Sequence, residues 1–431
     1  MIKVKKIFII ACFLVGASVQ ANAGLTLEEC RRLAGENYPL IKKYQLINQT
    51  TDYTVANIGK GYLPQLSFSG QASYQSDVAR FPDALTGIMS SYGYNYKGLT
   101  KDQYKLAVDM NQVVWDGGEI SAQKKVSGLQ GEVQVAQTDV DMYAIRERID
   151  NLFFGILLIE ENIRLNAELQ NLLLSNCRKI EVQQENGVAM KADADAVKAE
   201  YLKAKQQEVE LKSGKESYAR VLALFIGKEE SYASGLEMPK ADMPASLENA
   251  RPEMNLFDMR IRHAEAKAKL VDAGVMPRLS LFAQGSYGYP SYDMFDDMFD
   301  RNLKLNGIVG VRLSWNIGKF YTKKNEKRKT ALSINDAEAD REVFLFNSKL
   351  QSTQEQSDIE KFRKMITDDD EIISLRESVR KAAEAKLDNG IIDSDNLLQE
   401  ITRENQARIG KVSHEIEMLK KIYELRNTVN Q

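Results

Sequence analysis

The chain has 431 residues, with 58 basic and 61 acidic side chains and a formal net charge of only −3 at pH 7. So even a balance gives a polyanion nothing to hold, and it excludes nucleic acid as a partner. Two histidines, three cysteines and the lack of a long apolar run in the mature chain argue against a zinc site, a catalytic triad or a membrane-spanning helix.

Residues 1–6 carry Lys3, Lys5 and Lys6, residues 7–19 are apolar, and Ala21-Asn22-Ala23 offers a small-x-small cleavage site. Residues 1–23 therefore make a secretory signal, cut after Ala23. Cys12 as a lipoprotein acceptor is the alternative, although it would cut the apolar region in its middle. Cys30 and Cys177 then remain, far apart in sequence and on separate helical stretches, and a disulfide needs Cα atoms within ~7 Å. They are expected to be packing residues. His263 and His414 each stand alone in charged helical sequence.

Residues 26–59 predict one helix, opened by Thr26 with Glu29 three positions on as a capping box, and ended by Gly61 and Pro64. From Gln65 the period becomes two, with Leu66, Phe68, Gly70, Ala72 and Tyr74 opposing Gln65, Ser67, Ser69, Gln71 and Ser73, which is a strand with one apolar and one polar face. The strand Tyr104 to Trp115 alternates as well but slips near Gln112, where a bulge is expected. Residues 119–185 then run without proline as one helix, about 100 Å long at ~1.5 Å per residue. Asn186-Gly187-Val188 interrupts it, and a second helix returns.

Much of this pattern recurs. Gly61-Tyr62-Leu63-Pro64-Gln65-Leu66 comes back as Gly274-Val275-Met276-Pro277-Arg278-Leu279, and the offset from Pro64 to Pro277 also separates Pro39 from Pro252. Leu279, Leu281, Ala283, Gly285 and Tyr287 alternate with Arg278, Ser280, Gln284 and Ser286, broken only by Phe282; Val309, Val311, Leu313 and Trp315 alternate with Gly310, Arg312, Ser314 and Asn316. Asn389-Gly390-Ile391 repeats the helical interruption. Ile149, Leu152, Ile156, Ile159 and Ile163, and later Ile409, Val412, Ile416, Leu419 and Tyr423, are spaced in threes and fours, the mark of a coiled-coil seam. The expected organisation is a first repeat over 24–227 (strand pair 64–76 and 104–115, helical hairpin 119–227), a linker over 228–252 at an equatorial position, and a second repeat over 253–431 (strand pair 277–289 and 306–317, helical hairpin 319–428). The loops 77–102 and 290–305 look too polar and Gly-rich for core. The tandem Asp293-Met294-Phe295-Asp296 and Asp297-Met298-Phe299-Asp300 favours a short packed turn over a metal site, since free acids suit hard cations and methionine does not.

Four short two-faced strands with no apolar partner pose a physical problem. They have the ~9–11 residue length of membrane barrel strands, whose edges must be closed because unpaired backbone groups in lipid cost several kcal/mol each. Several chains contributing four strands each would close one barrel, with the long helices continuing below as a tube. Trp115 and Trp315, at the helix-side strand ends, would then lie at the inner membrane–water boundary, and Pro64 and Pro277 would open the strands.

The ordered set Leu27-Glu28-Glu29, Asn37-Tyr38-Pro39-Leu40, Tyr62-Leu63-Pro64-Gln65-Leu66, Trp115-Asp116-Gly117-Gly118 and Asn186-Gly187-Val188 with Asp193 resembles the TolC-type outer-membrane efflux family over essentially the whole mature chain. The resemblance implies an α+β membrane protein: a homotrimer sharing a 12-stranded β-barrel in outer-membrane lipid, continued by an α-helical coiled-coil tunnel in the periplasm. It further implies partners, a periplasmic adaptor (membrane fusion) protein and an inner-membrane pump of the RND or ABC type. By position, Gly187 and Gly390 match the adaptor-contacting tip glycines and Asp193 matches a pore-narrowing acid. Asn396 and Gln399 stand where relatives place constricting aspartates, with Asp393 and Asp395 close by to supply the charge. The same acids also suit the first turn of a helix, where the dipole rewards them by ~0.3–1 kcal/mol, and for Asp193 both readings stand. The expected function is a passive exit duct of an efflux or type I secretion system, gated at its periplasmic tip; a non-channel coiled-coil envelope protein, adaptor or spacer, is the alternative. No G-x-S-x-G, P-loop or metal-ligand spacing appears and no His lies near a candidate nucleophile, so no enzyme, cofactor or metal is expected.

Overall fold

The computed structural model describes residues 25–229, 235–240 and 242–431. The expected signal segment with Ala23 and Cys12 lies outside the described residues, as do 230–234 and 241 of the linker.

The helices are α1 (Leu27–Asn37), α2 (Ile41–Gly59), α3 (Asp83–Ser91), α4 (Glu119–Glu185), α5 (Lys191–Ile226), α6 (Pro252–Ala273), α7 (Met294–Asp297), α8 (Lys319–Asp388) and α9 (Ser394–Val429). The strands are β1 (Gln65–Tyr74), β2 (Asp102–Trp115), β3 (Arg278–Tyr289) and β4 (Lys304–Ser314), and they form one antiparallel sheet in the order β1-β2-β3-β4. The chain is thus a four-stranded sheet on a mostly helical body. Near the strands α4 packs against α2 and α6, and α6 against the first half of α8; farther away α4 packs against α5 and α9, and α9 against the rest of α8. Two margins of this helical layer stay open, α2 and α5 on one side and α8 on the other.

Residues 26–59 are not one helix. Proline clashes with a helical conformation of the residue before it, so Tyr38 is extended at φ −63°, ψ 129° and separates α1 from α2. The ring of Tyr38 stacks on Phe225 of α5 at 6.1 Å. Only half of the expected capping box forms: the Thr26 hydroxyl accepts from the Glu29 N–H at 3.3 Å, whereas the Glu29 carboxylate turns to Arg32.

The coiled-coil seams meet in one core. Ile149 and Ile156 of α4 are buried with Val412, Ile416 and Tyr423 of α9, and α1 adds Leu27 and Cys30. Beside it Arg31 donates to both carboxylate oxygens of Asp150 at 2.8 and 2.6 Å, and its guanidinium lies 5.4 Å from the Tyr423 ring. The start of the described chain is held there too, Leu25 donating its N–H to the Gly235 carbonyl at 2.8 Å. Cys30 and Cys177 are both buried with free thiols.

At the far end of the sheet the loops, expected to be too polar and Gly-rich for core, do carry one, and the short packed turn expected within 293–300 is α7. Leu99, Tyr289 and Met298 are buried together and packed by Val78, Phe81, Tyr96 and Phe299, so the aromatic residues of both loops make a small core of their own. Residues 83–91 add the helix α3.

Candidate functional site

Antiparallel pairing fixes which strand residues share a face. Leu66, Phe68, Gly70 and Ala72 stand opposite Met110, Val108, Leu106 and Tyr104; these stand beside Ala283, Gly285, Tyr287 and Tyr289; and Ala283 and Tyr287 face Val309 and Leu305. One side of the sheet is therefore apolar from margin to margin. Among the described residues no helix covers it: Phe68 is 73% exposed, Leu305 82% and Val309 81%. The opposite side carries Gln71, Lys105, Asp109, Asn111, Gln284, Asn306 and Arg312. Phe282, the exception in the alternation, does lie on this polar side; its ring edge fills the place where a Cβ on Gly310 would stand, and the Arg312 guanidinium lies 4.6 Å from the ring centre. The slip near Gln112 is resolved by a bulge between Val113 and Trp115, which returns Trp115 to the apolar side opposite Leu279.

Trp115 ends β2 and Trp315 follows β4, both about half exposed. The Trp315 indole donates to the Val275 carbonyl at 2.9 Å, tying the end of β4 to the turn ahead of β3. Pro64 and Pro277 directly precede β1 and β3, where a missing N–H interrupts no ladder. Asp116 is buried and starts α4 by accepting from the N–H groups of Gly118 and Ile120 at 3.0 and 2.7 Å.

The helical tips form the second half of the site. Gly187 and Gly390 adopt φ of +76° and +69°, a region that costs an L-residue about 1–2 kcal/mol. Each completes the same C-terminal motif: Gly187 and Val188 donate to the carbonyls of Gln184 and Gln183, and Gly390 and Ile391 to those of Leu387 and Lys386, at 2.8–2.9 Å. The Asn186 and Asn389 amides add a bond to the carbonyl four residues back, at 2.8 and 2.7 Å.

The returning helices are capped from opposite ends of the turn. In α9 the capping residue is Asp393, which accepts from the backbone N–H of Asn396 at 2.9 Å and from its side-chain amide at 2.7 Å. These bonds, the backbone one first, hold its carboxyl below the usual carboxylate range. In α5 the capping position is Met190, and the acid stands three residues later: Asp193 accepts from the Met190 N–H at 3.0 Å. This explains the amide at 396. A carboxylate there would face Asp393, whereas Asn396 donates to it. Asp395 is exposed and accepts from Gln399 at 3.0 Å.

Asp193 also joins the two tips, since its other oxygen accepts from the buried Ser394 hydroxyl at 2.7 Å. Lys179 of α4 pairs with Asp388 of α8 nearby. Behind both lies a core made of Cys177, Ile180, Ala194 and Val197 from one hairpin and Ala383, Leu397, Leu398 and Ile401 from the other. Sequence reasoning passed over Ser394 and the Lys179–Asp388 pair. Nothing in a single sequence brings residues of separate hairpins together, and the only available signal was that Ser394 opens a helix.

No protein-family model matches the chain, and neither does any curated protein. Solved structures do match. The outer membrane protein VceC of Vibrio cholerae superposes with a TM-score of 0.68 at 13% identity, covering 94% of this chain and 95% of that one. The outer membrane channel CmeC of Campylobacter jejuni gives 0.64 at 14% identity (94% and 85% covered), and the open-state channel MtrE of Neisseria gonorrhoeae 0.63 at 13% (94% and 88%).

Proposed function

We propose that this chain, which has the TolC-type fold of those outer-membrane channels, is itself the outer-membrane component of a tripartite efflux or type I secretion system: a passive exit duct whose energy comes from an inner-membrane pump through a periplasmic adaptor. The observation that carries this reading is the bare sheet. An apolar face of this extent exposed to water would be a serious liability, and the same face turned to lipid is stabilising.

Closure follows from the margins. β1 and β4 leave unpaired edges on the same two sides as the open helical margins, so one rotation that joins β4 to β1 of the next copy also brings α8 against α2 and α5. Such a head-to-tail contact generates a ring when the rotation closes. Three copies make a 12-stranded barrel, wide enough for a lumen lined by the polar strand face, and the two halves of each chain act as internal repeats around it. The helical tube below is shut at its tips, where Gly187 and Gly390 present the adaptor-facing turns and Asp193, Asp393 and Asp395 bring negative charge. Opening separates the two hairpins, which must break the Asp193–Ser394 bond and the Lys179–Asp388 pair.

Planar-bilayer recordings test this. The full chain extracted from outer membranes is expected to give a small resting conductance that rises when Asp393 and Asp395 are both replaced by Ala. A protein that fractionates away from the outer membrane and forms no channel would instead be the coiled-coil spacer or adaptor.

A further inference from the structure

The β3–β4 loop does not stand away from the sheet; it folds back onto the polar face. The Tyr292 hydroxyl donates to the Gln284 side-chain oxygen at 3.1 Å, and the Tyr292 N–H donates to the Asn306 side chain at 3.0 Å. The Lys105 ammonium bonds the same Gln284 oxygen at 3.2 Å and lies 6.0 Å from the Tyr292 ring centre. Gln284, Asn306 and Lys105 all belong to the polar side, and Gln284 stands on the order of 15 Å below the end of β3 at ~3.4 Å of rise per residue. Tyr292 therefore roofs a groove of about 460 Å³ on that side, lined by Asp109, Asn111, Phe282, Ile308 and Arg312.

The loop is fixed in this position by more than one bond. Lys304, also on the polar side, pairs with Asp296 and, at 3.0 Å, with the fully buried Asp297. Arg301 donates to the carbonyls of Lys97 and Gly98 in the β1–β2 loop, Lys97 donates back to the Met298 carbonyl at 2.9 Å, and the Phe81 and Phe295 rings stack at 5.9 Å. These contacts tie both loops into one packed unit, with Tyr292 at its inward edge.

We propose that the outer mouth is a second, size-selecting constriction, and that Tyr292, held by Gln284, sets how large a solute can leave. This rests on the channel reading above, because only in a closed barrel does the polar face enclose a lumen. Three inward loops would narrow that lumen at the end opposite the periplasmic tips, so tip opening alone would not free a bulky cargo.

The test uses intact cells and a cysteine reporter below the roof, Asn111→Cys, since the native Cys30 and Cys177 are buried. A small methanethiosulfonate reagent added outside is expected to react with it, and a maleimide on a long polyethylene glycol is expected not to. Tyr292→Ala should abolish this protection against the bulky reagent. Gln284→Ala, which leaves the loop core untouched, should do the same and carries the test if Tyr292→Ala fails to assemble. Equal reaction of the bulky reagent with and without Tyr292 and Gln284 overturns the constriction. Tyr92→Cys, in the exposed part of the β1–β2 loop, separates the two ideas: if neither reagent labels it on intact cells, the outer-membrane reading itself falls.

Discussion

Asp193 and Asp393 do the same work from opposite ends of a helical turn, and the difference has a measurable consequence. Asp393 has its pKa lowered in the folded chain by the bonds from Asn396. Its contribution is therefore fully present above the unfolded value of ~3.9 and is lost as pH falls through the lower folded value. The hydrogen-exchange protection of the α9 start, corrected for the intrinsic pH dependence of amide exchange, should be constant above that range and fall below it. Asp393→Asn, which keeps a capping oxygen, should flatten the acid-side loss, whereas Asp393→Ala should lower protection most above the titration range, where the ionised cap is intact, and less below it. Glu355 of α8 is the opposite case. It is 4% exposed, one of its oxygens has no hydrogen-bond partner, and burial pushes its carboxyl up despite bonds from Gln351 and Thr428. Its favourable contribution belongs to acid pH and is lost as pH rises through the raised folded value. Glu355→Gln should raise the thermal midpoint at pH 7 and change it less near pH 4. Residues that cap their own helix could be found in the sequence, because caps are local. Glu355 and Ser394 could not, since their surroundings come from distant segments.

Among the elements, the strands were the most legible, because alternation is a direct imprint of a two-faced sheet. Even the imperfections had causes in the chain: the slip at Gln112 became a bulge, and Phe282 lies across a glycine that leaves it room. The break at Pro39 was equally written in the sequence, but the helical period on either side of it masked the stop. The loop core was hidden for another reason. Its aromatic residues are scattered through polar sequence and converge only when both loops meet. The open margin of α8 carries a prediction of its own. Val343, Phe346 and Leu350 are spaced in threes and fours and remain exposed, Phe346 at 63%. That is a seam lacking its partner, and exposed apolar side chains on α2 (Leu46, Tyr53) and α5 (Leu202, Val209) stand at the other margin. Replacing Val343, Phe346 and Leu350 together by Ser should leave the helix content intact by circular dichroism while dissociating the proposed trimer on native gels.

At the scale of the whole molecule, the sheet joins its two halves through the β2–β3 ladder, where Tyr104 meets Tyr289 and Val113 meets Ser280. Between those partners lies the entire α4–α5 hairpin. A pairing so distant along the chain closes late, since loop entropy must be overcome before the contact is gained, and folding slows as contact order rises. The β1–β2 ribbon must consequently wait, apolar side bare and both edges unsatisfied, while well over a hundred further residues emerge. Such an intermediate invites aggregation, so on the channel reading proposed above the chain calls for a holding chaperone before it enters the membrane, and its yield should depend more on that escort than on the stability of the proposed trimer.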